Sequence, residues 1–142
     1  MRRTTLIAAL LLLPAAALHA QNYPARPIRM IIPFTAGSAA DIIARAMEPA
    51  LRERLGQPLV IDNRGGAGGT IGVELAARSP ADGYTLLAGA SSSMIVSSFT
   101  YKKLPFDTLK DFAPISLFAN VEAVFVVNPT LPVKSVGEFL SL

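Results

Sequence analysis

Apolar runs broken by glycine- and proline-rich turns set the pattern of this chain. Met30 to Ile32 is a continuous apolar run of the kind found in a central strand of a parallel sheet. Pro33 closes it, because proline cannot donate to a ladder. Gly37 permits a sharp turn, and Ser38-x-x-Asp41 fits a capping box that opens a helix. Ile42, Ile43, Ala46, Met47, Ala50, Leu51 and Leu55 then recur near a 3.6-residue period. Pro49 lies inside that helix and predicts a kink rather than a stop, and Gly56 suits the residue after the last turn.

Pro58 to Asp62 reads as strand two. A second helix is expected from about Gly69 to Arg78, with Val73, Ala76 and Ala77 inward and Glu74 paired with Arg78. Pro80 to Gly83 is a turn, and Tyr84 to Ala90 reads as strand three. Met94 to Phe99 suits a short helix, and Tyr101 to Asp107 a polar loop with Lys102 and Lys103 solvated. Ile115 to Val127 reads as an extended stretch, broken near Asn120 to Glu122. Asn128 to Pro132 is a turn, and Ser135 caps a last helix with Glu138 at the capping-box position. That helix stops at Leu142 after about two turns, below the usual length, which points to a chain cut short. The β-α-β-α-β order predicts a three-layer α/β lobe on a mostly parallel sheet.

Two turns are candidate sites. Backbone N–H groups at the helix start after Gly37 favour an anion, and ligands in open α/β sheets bind beyond the carboxyl ends of strands. The second turn holds five glycines in the eight residues from Gly65 to Gly72. A dinucleotide fingerprint fails there, because Gly66-x-Gly68 requires glycine where Ile71 stands. No Lys-Ser or Lys-Thr follows, so a phosphate-binding P-loop fails too. Either the turn is a backbone-lined ligand wall or it is a tight strand-to-helix connection. Ser91, Ser92 and Ser93 end strand three, where hydroxyls either meet a carboxylate or cap the next helix.

The first 20 residues resemble a secretory leader, with Arg2 and Arg3 before an apolar core at Leu6 to Leu13 and small residues after Pro14. The expected cut follows Ala20, with Ala17 as the alternative. The apolar run is short for a membrane span of about 20 residues, although an uncleaved anchor is the competing reading. No cysteine is available for a lipid anchor. Two of the 13 basic residues belong to the leader, leaving 11 against 10 acidic ones in the remainder. With no basic stripe or interleaved aromatics, nothing suggests a nucleic-acid surface. The chain has no cysteine, and its one histidine, His19, lies in the leader. A Ser-His-Asp triad, a thiol nucleophile and a His or Cys zinc site are therefore excluded within the expected mature chain, and no cofactor is expected.

Four runs stand out together: Pro33-Phe34-x-x-Gly37-x-x-x-Asp41, Asn63-Arg64-x-Gly66-Ala67-Gly68-Gly69-x-Ile71-Gly72, Asp82-Gly83-Tyr84-Thr85-Leu86-Leu87, and Tyr101-Lys102-Lys103-Leu104-Pro105-Phe106-Asp107. In their order and spacing they resemble the Bug-type receptors, the solute-binding proteins of tripartite tricarboxylate transporters. Lys110-Asp111-Phe112-Ala113-Pro114 and Val127-Asn128-Pro129-x-Leu131-Pro132-Val133-Lys134-Ser135 continue the match. The resemblance implies a periplasmic, two-lobed type II binding protein of roughly twice this length, closing on a small carboxylate and serving the membrane components of its transporter. It implies a ligand wall of Phe34, Gly37, Ser38, Asp41, Gly66, Ala67, Ser91, Ser92 and Ser93. It divides the chain into a leader (1–20), a first lobe with a crossover strand (21–128) and the start of a second lobe (129–142). Three departures from the family habit stand out: Ser38 replaces a second glycine, Gly65 a proline, and the pair Ser93-Met94 a common Thr-His. The competing readings are an exported α/β hydrolytic enzyme, resting on Asp41 beside the serines, and a sensory or structural module.

The leader makes the first prediction. Intact-mass measurement on periplasmic material is expected to show a chain beginning at Gln21, whereas a mass that retains Met1 to Ala20 supports the anchor.

Overall fold

The computed structural model describes residues 23–122 and 124–142. The leader, its cut and Gln21 lie outside them. Three parallel strands form one sheet: β1 (Ile28–Ile32), β2 (Leu59–Asn63) and β3 (Thr85–Leu87), in the order β2-β1-β3. Ile28 is opposite Leu59, and Arg29 is opposite Thr85. The apolar run therefore does occupy the centre, with a neighbour on each side.

Helix α1 (Ala39–Leu55) joins β1 to β2, and α2 (Thr70–Ala77) joins β2 to β3. The first crossover leads from β1 to one side and the second leads back past it. Right-handed connections then put α1 and α2 on opposite faces. Ile32 packs with Ala44 of α1 and with Ala88, bordered by Met30, Phe34, Ala40 and Ile61. Ile31 alternates to the other face and, like Val73 of α2, is fully buried.

Helix α1 obeys its predicted punctuation. Ser38 Oγ accepts from the Asp41 N–H at 3.4 Å, and Gly56 takes a left-handed conformation with its N–H on the Arg52 carbonyl. The helix runs through Pro49 without a break. Its apolar stripe is rotated from the predicted one. Ile43, Met47, Leu51 and Leu55 are partly covered, whereas Ile42, Ala46 and Ala50 are exposed and Ala44 is buried instead. The helix packs through its smallest side chain, which brings it close to the sheet.

Strand β3 is shorter than the predicted Tyr84 to Ala90, yet its pairing extends beyond the regular ladder. The Tyr84 carbonyl accepts from Arg29 N–H, and Ala88 N–H donates to Ile31 carbonyl, both at 2.9 Å. Helix α2 is preceded by a 3-10 turn at Ala67–Gly69, so the helix proper begins one residue later than expected. A π-helical turn (Ser92–Val96) leads into α3 (Ser97–Thr100), in place of one regular helix over Met94 to Phe99. The extended stretch after Ile115 joins no ladder among the described residues, and Ile115, Leu117 and Val124 are more than four-fifths exposed. An extended backbone becomes a strand only with a partner, and the described part of this stretch pairs with neither open edge of the sheet, β2 or β3. The last helix, α4 (Val136–Leu140), is capped by Ser135 Oγ on the Glu138 N–H, as its sequence predicts.

The lead-in is tied to the turn before β3. Tyr23 Oη donates to the Gly83 carbonyl at 2.6 Å, and Ala25 N–H donates to Tyr84 Oη at 2.9 Å. Arg26 lies over the Tyr84 ring at 4.1 Å and pairs with Asp82 at 3.0 Å.

Gly72 marks the tightest packing of α2 on the sheet. A methyl group there would lie 2.6 Å from the Arg64 carbonyl oxygen and 2.7 Å from Pro33 Cα. In an open helix Gly→Ala stabilises by up to about 1 kcal/mol. Gly72→Ala is expected instead to destabilise by about 1–3 kcal/mol, as overpacking does. Denaturant unfolding checks the sign.

Candidate functional site

Because all three strands run the same way, the loops after them gather at one end of the sheet. These are Pro33 to Ser38, Arg64 to Gly69 and Ala88 to Ser93. They meet at Gly69, which has φ +95°; a Cβ there would fall 2.6 Å from Ser93 Cβ and 3.1 Å from the Pro33 carbonyl oxygen. The first two loops also touch directly. Asn63 Nδ2 donates to the Phe34 carbonyl at 3.3 Å, and a Cβ on Gly65 would lie 3.2 Å from the Thr35 backbone nitrogen.

At the first turn the protein already supplies an anion. Asp41 is 3 % exposed, and its Oδ2 accepts from the Gly37 N–H at 2.8 Å. Arg45 Nε donates to Oδ1 at 3.0 Å. The Arg45 guanidinium and then the Gly37 amide hold the Asp41 carboxyl down at about 2, against a partial opposing effect of burial. The Ser38 N–H is also engaged, on the Thr35 carbonyl at 3.2 Å. The capping box is thus displaced by one residue, since the carboxylate reaches Gly37 rather than Ser38.

The amides of Thr35, Ala36, Gly65 and Gly66 have no acceptor among the described residues, and all four residues are exposed. Ser91 and Ser92 are exposed as well, whereas Ser93 is fully buried and its Oγ donates to the Ala90 carbonyl at 3.2 Å.

The predicted site residues therefore fall into two groups. Gly66, Ala67, Ser91 and Ser92 lie at the open end of the sheet. Gly37, Ser38, Asp41 and Ser93 share that end, but the polar groups just described serve the fold, and Phe34 borders the core through its side chain. No bond joins Asp41 to the serines among the described residues, so the pairing behind the hydrolase reading is not formed.

The Ala67 carbonyl, at a residue with φ +47°, accepts from Thr70 Oγ1 and from Tyr101 Oη, both at 2.9 Å. Sequence reasoning gave neither residue a role here. Tyr101 opens one of the motif runs, but nothing in its spacing marks a contact made 34 positions away.

No cluster of three or more metal-ligating side chains occurs among the described residues. A surface concavity of about 480 Å3, lined by Glu48, Pro49, Arg52, Glu53 and Gly56, lies at the far end of α1 and does not include the three loops.

Residues 43–142 match the tripartite tricarboxylate transporter family receptor. The chain belongs to that family. It is 43% identical over 128 residues to the protein BugT of Bordetella pertussis, covering 89% of this chain and 39% of BugT. Among solved structures, a periplasmic transporter superposes with a TM-score of 0.71 at 45% identity, over 84% of this chain and 40% of that one. A Rhodopseudomonas palustris protein solved with adipate gives a TM-score of 0.70 at 35% identity, again over 84% and 40%. The chain thus spans about two-fifths of the length of each. As a family member it carries the α/β parallel-sheet fold expected from its strand order, and relatives of this kind are solute-binding receptors rather than enzymes.

Asp41 gives a test with a defined sign. Its depressed carboxyl contributes stability that is fully present above 3.8 and is lost as pH falls toward 2. Asp41→Asn is expected to lower the melting temperature at pH 7, and the gap to the unsubstituted protein should narrow as pH drops through that window. A gap independent of pH would show that the charge is not what matters.

Proposed function

We propose that this chain forms one wall of a periplasmic receptor for a small carboxylate, exported by its cleaved leader and serving the membrane components of a tripartite tricarboxylate transporter. In this reading residues 21–128 belong to a first lobe and 129–142 begin a second. The observation that carries the proposal is the set of four unengaged amides of the exposed residues Thr35, Ala36, Gly65 and Gly66, on two loops in backbone contact. Hydrogen bonds from backbone N–H groups to a carboxylate are charge-assisted and roughly twice as strong as neutral ones. They recognise the anion without a cationic side chain. Arg64, the cation nearest these loops in sequence, is already bonded to Asp62 at 2.8 Å. Ser91 and Ser92 are exposed after strand three at the same end, and their hydroxyls suit a second polar group of the ligand. The adipate-bound relative supports a dicarboxylate as the ligand class.

Asp41, Gly37 and Ser38 take a supporting part in this reading. By engaging the Gly37, Ser38 and Asp41 amides internally, they direct the ligand toward the loops rather than onto α1. One wall open to water binds weakly, because exposed anion contacts are screened.

The test is an NMR titration of residues 21–142 with adipate. Millimolar binding is expected, with the amides of Thr35, Ala36, Gly65 and Gly66 shifting and those of Gly37 and Ser38 still. Gly37→Val, forced into a left-handed turn at φ +83°, is expected to disturb the loop and weaken binding several-fold. Lys102→Ala is expected to leave it unchanged. Shifts confined to other residues, or none at millimolar adipate, overturn the proposal.

A further inference from the structure

The glycine turn is nearly all surface: Gly65, Gly66, Ala67 and Gly68 are exposed, and four of the six residues from Gly65 to Thr70 have positive φ. Such a segment has many accessible conformations, and its own sequence does little to choose among them. Amides that receive an anion without reorganising must nonetheless be held in place beforehand. Some other part of the chain has to supply that restraint.

A closed circuit of contacts does so. Gly69 abuts Ser93, whose carbonyl accepts from the buried Ser97 Oγ at 2.7 Å. Tyr101 N–H then donates to the Ser97 carbonyl at 3.0 Å, fixing Tyr101 at the end of α3. From there Tyr101 Oη returns to the Ala67 carbonyl at 2.9 Å, and it lies 3.5 Å from where a Cβ on Gly68 would stand. The turn is therefore tied at two points, Ala67 and Gly69, to one short helical segment. Ser93 holds it through packing and Tyr101 through a hydrogen bond. Thr70 contributes a local tie to the same carbonyl, three residues away. Only Tyr101 links that carbonyl to a different loop.

We infer that Tyr101 is a positioning residue: its hydroxyl fixes the conformation of the Gly65–Gly69 turn and so sets the second bank of amides. The effect on ligand rests on the receptor reading above, whereas the effect on the turn does not. Ala67 is the point of leverage, because a non-glycine residue at φ +47° sits in a sparsely populated region and relaxes when its restraint is removed. The aromatic ring itself is partly exposed, so removing only the hydroxyl leaves the packing largely as it was.

Tyr101→Phe tests this, with Tyr84→Phe as the matched control at the opposite end of the sheet. Amide hydrogen exchange is measured without ligand at Gly69, the buried residue of the turn whose N–H donates to the Gly66 carbonyl at 2.9 Å, adipate affinity by titration, and thermal midpoint by calorimetry. Tyr101→Phe is expected to speed exchange in that turn several-fold and to weaken adipate binding about fivefold, the effect of one net hydrogen bond. Its midpoint should fall no further than that of Tyr84→Phe, which should leave exchange in the turn unchanged. Unchanged exchange in Tyr101→Phe overturns the inference, and so does equal acceleration in both variants. Should the unsubstituted protein bind no adipate, the receptor reading fails, and exchange alone still decides whether Tyr101 sets the turn.

Discussion

The pairing of β1 along both of its sides is the constraint from which the rest follows. Its backbone bonds to Pro58 and Arg64 on one side and to Tyr84 and Ala88 on the other. Both neighbours run parallel to it, and each is reached through a helix, the kind of crossover that parallel strands require. Parallelism in turn sends all three following loops to one end. The convergence of Pro33, Gly69 and Ser93 is thus a product of topology, and the glycine is what lets the loops close up. Were β3 antiparallel, Ser91 to Ser93 would sit at the opposite end of the sheet, and the Pro80 to Gly83 turn would take their place beside the two glycine loops.

A second theme is how the chain handles its helix starts. Asp41 and Glu138 both lie three residues after a capping serine, and both reach one residue too far for the standard box. Asp41 accepts from Gly37, and Glu138 accepts from the Lys134 N–H at 2.7 Å. The same local chemistry therefore recurs on helices of 17 and 5 residues. At α1 it has a further effect: a buried carboxylate paired with Arg45 fills the place where an external anion would otherwise gain most from the helix dipole.

Elements defined by local chemistry were legible in the sequence. The apolar run of β1, the serine caps, the Gly56 stop and the Asp82-Gly83 turn each act within a few residues, and each is found where its residues predict. Contacts between distant positions were not legible. The rotation of α1, which buries Ala44 and exposes Ile42, depends on how closely helix and sheet approach. Asp41 reads as a cap either way, but only the fold shows its second oxygen consumed by Arg45. The extended stretch after Ile115 has strand-forming residues, and pairing is a property of neighbours that no local pattern encodes. The tie from Tyr101 to Ala67 belongs to the same class.

The lead-in sits at the other end of the molecule from the three loops. Tyr23, Ala25 and Arg26 grip Gly83, Tyr84 and Asp82, which precede β3, whereas the loops follow the strands. A five-residue strand separates these ends by about 16 Å. This gives the protein a mechanical polarity. A pull on the chain's start is taken up first by the tyrosine pair and the Arg26–Asp82 contact, not by the loops. Held by its leading segment at a surface, the lobe would stand with its glycine turns facing away from that surface, open to whatever diffuses past.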